Sequence, residues 1–204
     1  MKQLVTLLVL VFLISCQSKK ESEKIFEDYN QGLKAMHNVD SVGRIDYANA
    51  IGYFEKSVYE NPTHIESRLW KMQCEINLGK FDNALETSAY VINDKEMANH
   101  VLIPIFYFTA GLVEKIKGDT IKSYKFLNSA IEIYNSRIRK DKNDTEAIMN
   151  KASVLCYMDK KDEAIKFLDS ITINEENKTN LEQIKSAILG FDAEEIISDL
   201  MANR

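Results

Sequence analysis

Two phrases of this chain, Asp46-Tyr47-Ala48-Asn49-Ala50 and Gly79-Lys80-Phe81-Asp82-Asn83-Ala84, set an alanine in a similar context, and Ala50 and Ala84 stand 34 residues apart. A fixed period of that size is the mark of a helical hairpin repeated along the chain, because one hairpin cannot bury its apolar face alone and must stack on a copy of itself. The composition agrees. Seven glycines and two prolines are few, and 45% apolar residues with 28% charged ones suit amphipathic helices better than strands.

Helical spacing begins with Ile25, Phe26, Tyr29, Leu33 and Met36, and order is expected from about Lys24. A loop over 38–45 with Gly43 leads to a second helix over 46–60, with Ala50, Phe54 and Val58 on one face. That helix should stop at Asn61-Pro62, since proline disfavours helix in the residue before it. Ala50, Phe54 and Pro62 resemble the A-x3-F and terminal proline of tetratricopeptide (TPR) repeats, and the phrase from Gly79 falls in the matching register. The resemblance implies that Ala50 and Ala84 are small so that two helices can cross closely, and that Phe54 fills the groove between repeats. The second repeat departs from the pattern. Ser88 stands where the aromatic belongs, and Trp70 comes two residues later than the usual aromatic of the first helix.

A third repeat resembles the family at Tyr107-Phe108-Thr109-Ala110-Gly111 and at Gly118 to its crossing residue Ser123, which lies 39 residues after Ala84. The five extra residues fall between Asn93 and Ile103, as a longer helix or as a loop, and the helix carrying Leu127, Ala130, Ile131 and Tyr134 can run to Arg139. The fourth repeat has Ala164 as its crossing residue, Asp159-Lys160-Lys161 at its turn and Asp144 with Thr145 as a capped helix start. Leu181, Ile184, Ile188 and Leu189, then residues 194–201, keep helical spacing without the repeat signature, as a terminal cap would. The expectation is an all-α fold: a right-handed α-solenoid of about four TPR-like helical hairpins over 24–171, with C-terminal capping helices over 172–204. Ala50, Phe54, Ala84, Gly111, Ser123 and Ala164 are its repeat-packing residues.

Lys2 followed by the apolar run 4–14 has the flank and length of an export signal, and at ~1.5 Å per residue the run is too short to cross a bilayer core of ~30 Å. Leu13-Ile14-Ser15-Cys16 resembles the lipobox of bacterial lipoproteins. That resemblance implies a signal peptide over 1–15, lipid attachment at Cys16 and a lipidated tether over 16–23. It also implies residence in the cell envelope, and Gln17 after the cysteine suggests the outer membrane, facing the periplasm. Loss of Lys2 would take the formal net charge from −5 to −6, and without a basic stripe nucleic acid is not an expected partner. Cys74 and Cys156 lie two repeats apart, beyond disulfide reach in a stack, and read as small buried side chains.

Catalysis needs convergent polar groups, yet His37, His64 and His100 stand alone in the sequence, without a metal-ligand partner at i+3 or i+4. The phosphate-binding loop, the dinucleotide fingerprint and the G-x-S-x-G nucleophile turn are not written in the chain. No enzyme activity, cofactor or metal is expected. In TPR arrays the first helix of each hairpin lines the concave face, and the resemblance places Tyr29, Leu33, Leu69, Gln73, Phe108, Leu112, Met149 and Ser153 there as a candidate partner groove. Its apolar, aromatic-rimmed character would suit an amphipathic helix or an extended apolar peptide. The simpler reading of Leu69, Phe108, Leu112 and Met149 is core, as for most apolar residues at helical spacing. Tyr29 and Gln73, whose polar ends need water or a partner, are the stronger contact candidates.

The function expected is a membrane-anchored TPR adaptor or scaffold that binds another envelope protein or peptide. The alternative is a structural subunit of an outer-membrane assembly or secretion machine. The sequence leaves the oligomeric state open.

Overall fold

The computed structural model describes residues 26–39 and 45–202. The expected leader and tether, with Cys16, lie outside the described residues, as do Lys24 and Ile25. Among the described residues ten α-helices follow one another: α1 (Glu27–His37), α2 (Tyr47–Glu60), α3 (Ile65–Asn77), α4 (Phe81–Asn93), α5 (Ile103–Ile116), α6 (Thr120–Lys140), α7 (Thr145–Tyr157), α8 (Lys161–Ser170), α9 (Lys178–Leu189) and α10 (Ala193–Ala202). From α1 to α9 each packs chiefly on helices near it in the chain, so α1–α2, α3–α4, α5–α6 and α7–α8 form four successive hairpins and α9 closes the stack against α7 and α8. The architecture is an all-α, right-handed solenoid of TPR-like hairpins.

Local chemistry sets the starts and stops. Asp46, Asp119 and Asp144 each cap a helix, their side chains accepting from the backbone N–H of Asn49 (3.0 Å), Lys122 (3.0 Å) and Ala147 (2.9 Å). A cap of this kind contributes about 0.5–2 kcal/mol. The turns inside hairpins two, three and four all use a left-handed residue: Gly79 at φ 69°, Gly118 at φ 84° and Asp159 at φ 60°. Aspartate is among the few side chains that tolerate this region, and Asp159 Oδ1 accepts from Lys115 Nζ at 2.8 Å. The five residues inserted before Ile103 form turns rather than a longer α4. The second helix of repeat three is long, 21 residues ending at Lys140.

The hairpins hold together through a matched pair of side chains at one recurrent crossing. A Cβ on Gly32 would stand 2.6 Å from the Phe54 ring, and one on Gly111 would stand 2.6 Å from Leu127 Cγ and 3.1 Å from the Ser123 carbonyl. In repeats one and three the first helix therefore supplies nothing and the second supplies bulk. Repeat two reverses the sizes. Met72, 1% exposed, lies with its sulfur 3.0 Å from the Ser88 hydroxyl. Ser88 is thus no defect, because the volume missing from α4 is supplied by α3. Ala152 and Leu168 hold the same two positions in repeat four, both in the core. Phe54 also stacks on Trp70 of the next repeat, with centroids 6.4 Å apart and planes 17° apart.

The main core runs without a break from Ile65 on α3 to Leu200 on α10, with a smaller cluster around Phe54 between α1, α2 and α3. Cys74 and Cys156 are free, buried thiols, and burial pushes their pKa values up to about 12 and about 11. Neither is disposed to react as a thiolate. The terminal helices seat Leu181, Ile184, Ile188, Ile196 and Leu200 on the end of the stack. Lys161 Nζ secures them by donating to the carbonyls of Leu189 (2.8 Å) and Phe191 (2.9 Å) at the end of α9.

Candidate interaction surface

The inner-face candidates divide by burial. Leu69 is 6% exposed and Leu112 2%, and both belong to the main core. They pack between helices and offer a partner nothing, which corrects the groove expected from the sequence. Four others are half-buried. The Tyr29 ring meets the His64 ring edge-on at 4.9 Å, and Leu33 packs on the Phe54 cluster. Phe108 meets Tyr157 edge-on at 5.0 Å, and Met149 leans on the main core. Ser153 turns its hydroxyl back to the Met149 carbonyl at 3.0 Å. Gln73 is likewise half-buried, and among the described residues its side-chain amide makes no hydrogen bond. The available face is therefore a mosaic of aromatic edges and amide rather than a continuous apolar trough.

Three polar clusters join neighbouring helices, and the sequence pattern reveals only part of them. On α3 and α4 the carboxylate of Glu75, 1% exposed, is paired by the ammonium of Lys71, while Thr87 Oγ1 donates to its second oxygen at 2.9 Å. Lys71 also donates to Thr87 at 3.1 Å, so the charge is enclosed by partners, as a buried carboxylate requires. The spacing i, i+4 could have signalled the pair; its depth could not be read.

At the head of α3, His64 and His100 both approach one carboxylate. His64 Nε2 lies 3.4 Å and His100 Nε2 4.0 Å from the oxygens of Glu66. This corrects the reading of these histidines as solitary. His64 Nδ1 shares a 2.6 Å hydrogen bond with Ser67 Oγ, which shares one of 2.7 Å with Ser57 Oγ. Burial holds the His64 pKa below its ordinary value; Glu66 opposes that shift and His100 adds to it. Ser67 is 0% exposed, so its hydroxyl is enclosed where α2 meets α3. Among the described residues no three His, Cys, Asp or Glu side chains group closely enough to hold a metal ion.

The third cluster joins repeats three and four. Arg137 donates from Nε to Asp144 Oδ2 (2.9 Å) and from Nη2 to Asp144 Oδ1 and Glu146 Oε2 (both 3.1 Å). These bonds fix the end of α6 to the start of α7, where Asp144 is also the helix cap.

Together these features describe an all-α helical-repeat protein. The chain resembles a thermophilic TPR protein of Thermus thermophilus, whose crystal structure superposes with a TM-score of 0.54 over 88% of this chain and 87% of that one at 17% identity. At that identity the likeness establishes the fold. No protein-family model matches the chain, and no curated protein matches it.

Proposed function

We propose that this chain is a lipid-anchored scaffold of the bacterial cell envelope that holds a protein or peptide partner against the inner face of its repeats. The observation that carries the reading is the state of Gln73: a half-buried amide, unbonded among the described residues, on the first helix that comes between those carrying the half-buried rings of Tyr29 and Phe108. Such a surface supplies hydrogen-bonding capacity beside apolar area, which suits a peptide backbone. The lipobox-like Leu13-Ile14-Ser15-Cys16 supports the anchor, and Gln17 supports the outer membrane. No cofactor and no catalytic residue enter this proposal.

Replacing Gln73 with a photo-crosslinking residue in cells tests the docking half. A discrete adduct of one protein, lost when Ser153→Trp obstructs the same face, supports the scaffold; no adduct under several growth conditions refutes it. A general depletion of outer-membrane proteins in the Ser153→Trp strain would favour a machine subunit over a dedicated adaptor. Metabolic labelling with an alkynyl fatty acid, expected to mark the chain but not its Cys16→Ser form, tests the anchor separately.

A further inference from the structure

The last two helices do not make a fifth hairpin. In each earlier hairpin the two helices lie close along their lengths, whereas α10 lies close along no other helix among the described residues. Yet it is no free tail. Ala193, Ile196, Ile197 and Leu200 recur at i, i+3, i+4 and i+7, and all four are buried. Asp192 starts the helix, its Oδ1 accepting from the backbone N–H of Glu194 (3.0 Å) and Glu195 (3.1 Å). α10 is therefore a short amphipathic helix that carries its own cap and is held by side-chain tips rather than by close backbone packing.

Its contacts place it at the inner face. Phe108, one of the expected groove residues, meets the Tyr157 ring edge-on at 5.0 Å, and Tyr157 meets Phe191, just before α10, edge-on at 5.2 Å. Three rings thus run from the first helix of repeat three to the foot of α10. Glu194 Oε1 lies 3.6 Å from Lys115 Nζ, so the helix that follows repeat four reaches back to α5. Most residues of α5 are buried, and the main core unites its Ile105, Leu112 and Ile116 with Ile196, Ile197 and Leu200 of α10.

Two features make α10 a loosely fitted cover. Lys115 already donates to Asp159 Oδ1 at 2.8 Å and to the Tyr157 carbonyl at 2.9 Å, and the Glu194 side chain is 75% exposed, so their pair adds little. Apolar contact does the holding. The hydroxyl of Tyr157, a residue 2% exposed, makes no hydrogen bond among the described residues. A buried hydroxyl without a partner is unfavourable, and displacing α10 would open this end of the inner face to water or to a ligand that can supply one.

We infer that α10 is a detachable occupant of the inner face, and that a partner's amphipathic helix with the same i, i+3, i+4, i+7 apolar spacing takes its place beside Phe108 and Tyr157. The inference rests on the inner-face scaffold reading and supplies the class of its partner. While α10 is seated, the surface beneath it is closed to that partner.

Hydrogen–deuterium exchange and peptide binding on the purified full chain test it. Backbone amides of α10 should exchange at least tenfold faster than those of α7 and α9. The probe is a fluorescein-labelled peptide of residues 191–202. Ile196→Asp in the chain loosens α10, so this variant should bind the peptide at least tenfold more tightly than wild type does; the peptide carrying the same replacement should bind neither protein. Exchange of α10 at the rate of α7 and α9, or peptide binding unchanged in a folded Ile196→Asp chain, overturns the inference. So does general unfolding of Ile196→Asp by circular dichroism, because α10 would then be a fixed part of the core. A dimer in sedimentation equilibrium that Ile196→Asp dissolves overturns it too, since the helix would then be exchanged between copies. The Gln73 adduct in cells reports on the scaffold reading alone, so a missing adduct beside a readily released α10 refutes that reading and leaves the release of the helix standing.

Discussion

Exchanging the repeat-four pair into repeat two tests the idea that each hairpin fixes the sum of two side chains and not their identities. Met72→Ala alone removes most of a side chain that is 1% exposed, and should cost about 3 kcal/mol through lost burial and the cavity left behind. Ser88→Leu alone forces a bulkier side chain against the Met72 sulfur, which already lies 3.0 Å from the serine hydroxyl, and should cost about 1–3 kcal/mol by overpacking. The double variant carries the small and large residues of Ala152 and Leu168 and nearly restores the original volume. The serine hydroxyl also donates to the Ala84 carbonyl at 2.8 Å, a helical acceptor, so its removal strands no buried donor. The double variant should therefore lie within about 1–2 kcal/mol of wild type, a favourable coupling of about 2–5 kcal/mol against the sum of the singles. Urea unfolding of all four proteins, followed by circular dichroism at constant m-value, measures it. A double variant destabilised by the sum of the singles, within about 0.5 kcal/mol, would refute the compensation.

Gly111→Ala should lower stability by about 1–3 kcal/mol despite alanine's better helix propensity, since its methyl would meet Leu127 and the Ser123 backbone, whereas Gly52→Ala, with nothing within 4 Å, should raise the melting temperature slightly. Lys71→Met should cost about 3 kcal/mol in the same urea assay by leaving the Glu75 carboxylate without its counter-charge, and adding Glu75→Leu should recover much of that loss. His64 has a depressed pKa in the folded state, so the unfolded chain binds more protons just below pH ~6.5 and stability should fall as the solution is acidified through that window. His64→Gln should flatten this part of the profile; an unchanged slope between about pH 6.5 and 5 would show that the ring does not titrate with folding.

The fold was legible wherever a local signal coincided with the period. Asp46 and Asp144 announce helix starts, Pro62 and Gly118 announce turns, and the helical spacing through Tyr134 foretells the long α6. The surface was less legible, because whether a leucine at an inner-face position is covered depends on how closely the next repeat approaches. Leu69 and Leu112 are covered while Phe108 and Met149 are partly open, and nothing in their spacing separates the two cases. Encounters between distant segments were hidden for a related reason. Glu66 and His100 are 34 positions apart, and the inserted turns that carry His100 towards Glu66 obey no repeat pattern. Ser88 looked like a lost aromatic because its partner, Met72, compensates from the opposite helix.

That compensation has a bearing on how such chains change over time. When a large residue on one helix can be traded for a large residue on the other, no single position is held to one amino acid, and paired replacements can carry a lineage far while the backbone stays put. Descendants of one ancestral hairpin would then keep their shape long after their spelling had diverged.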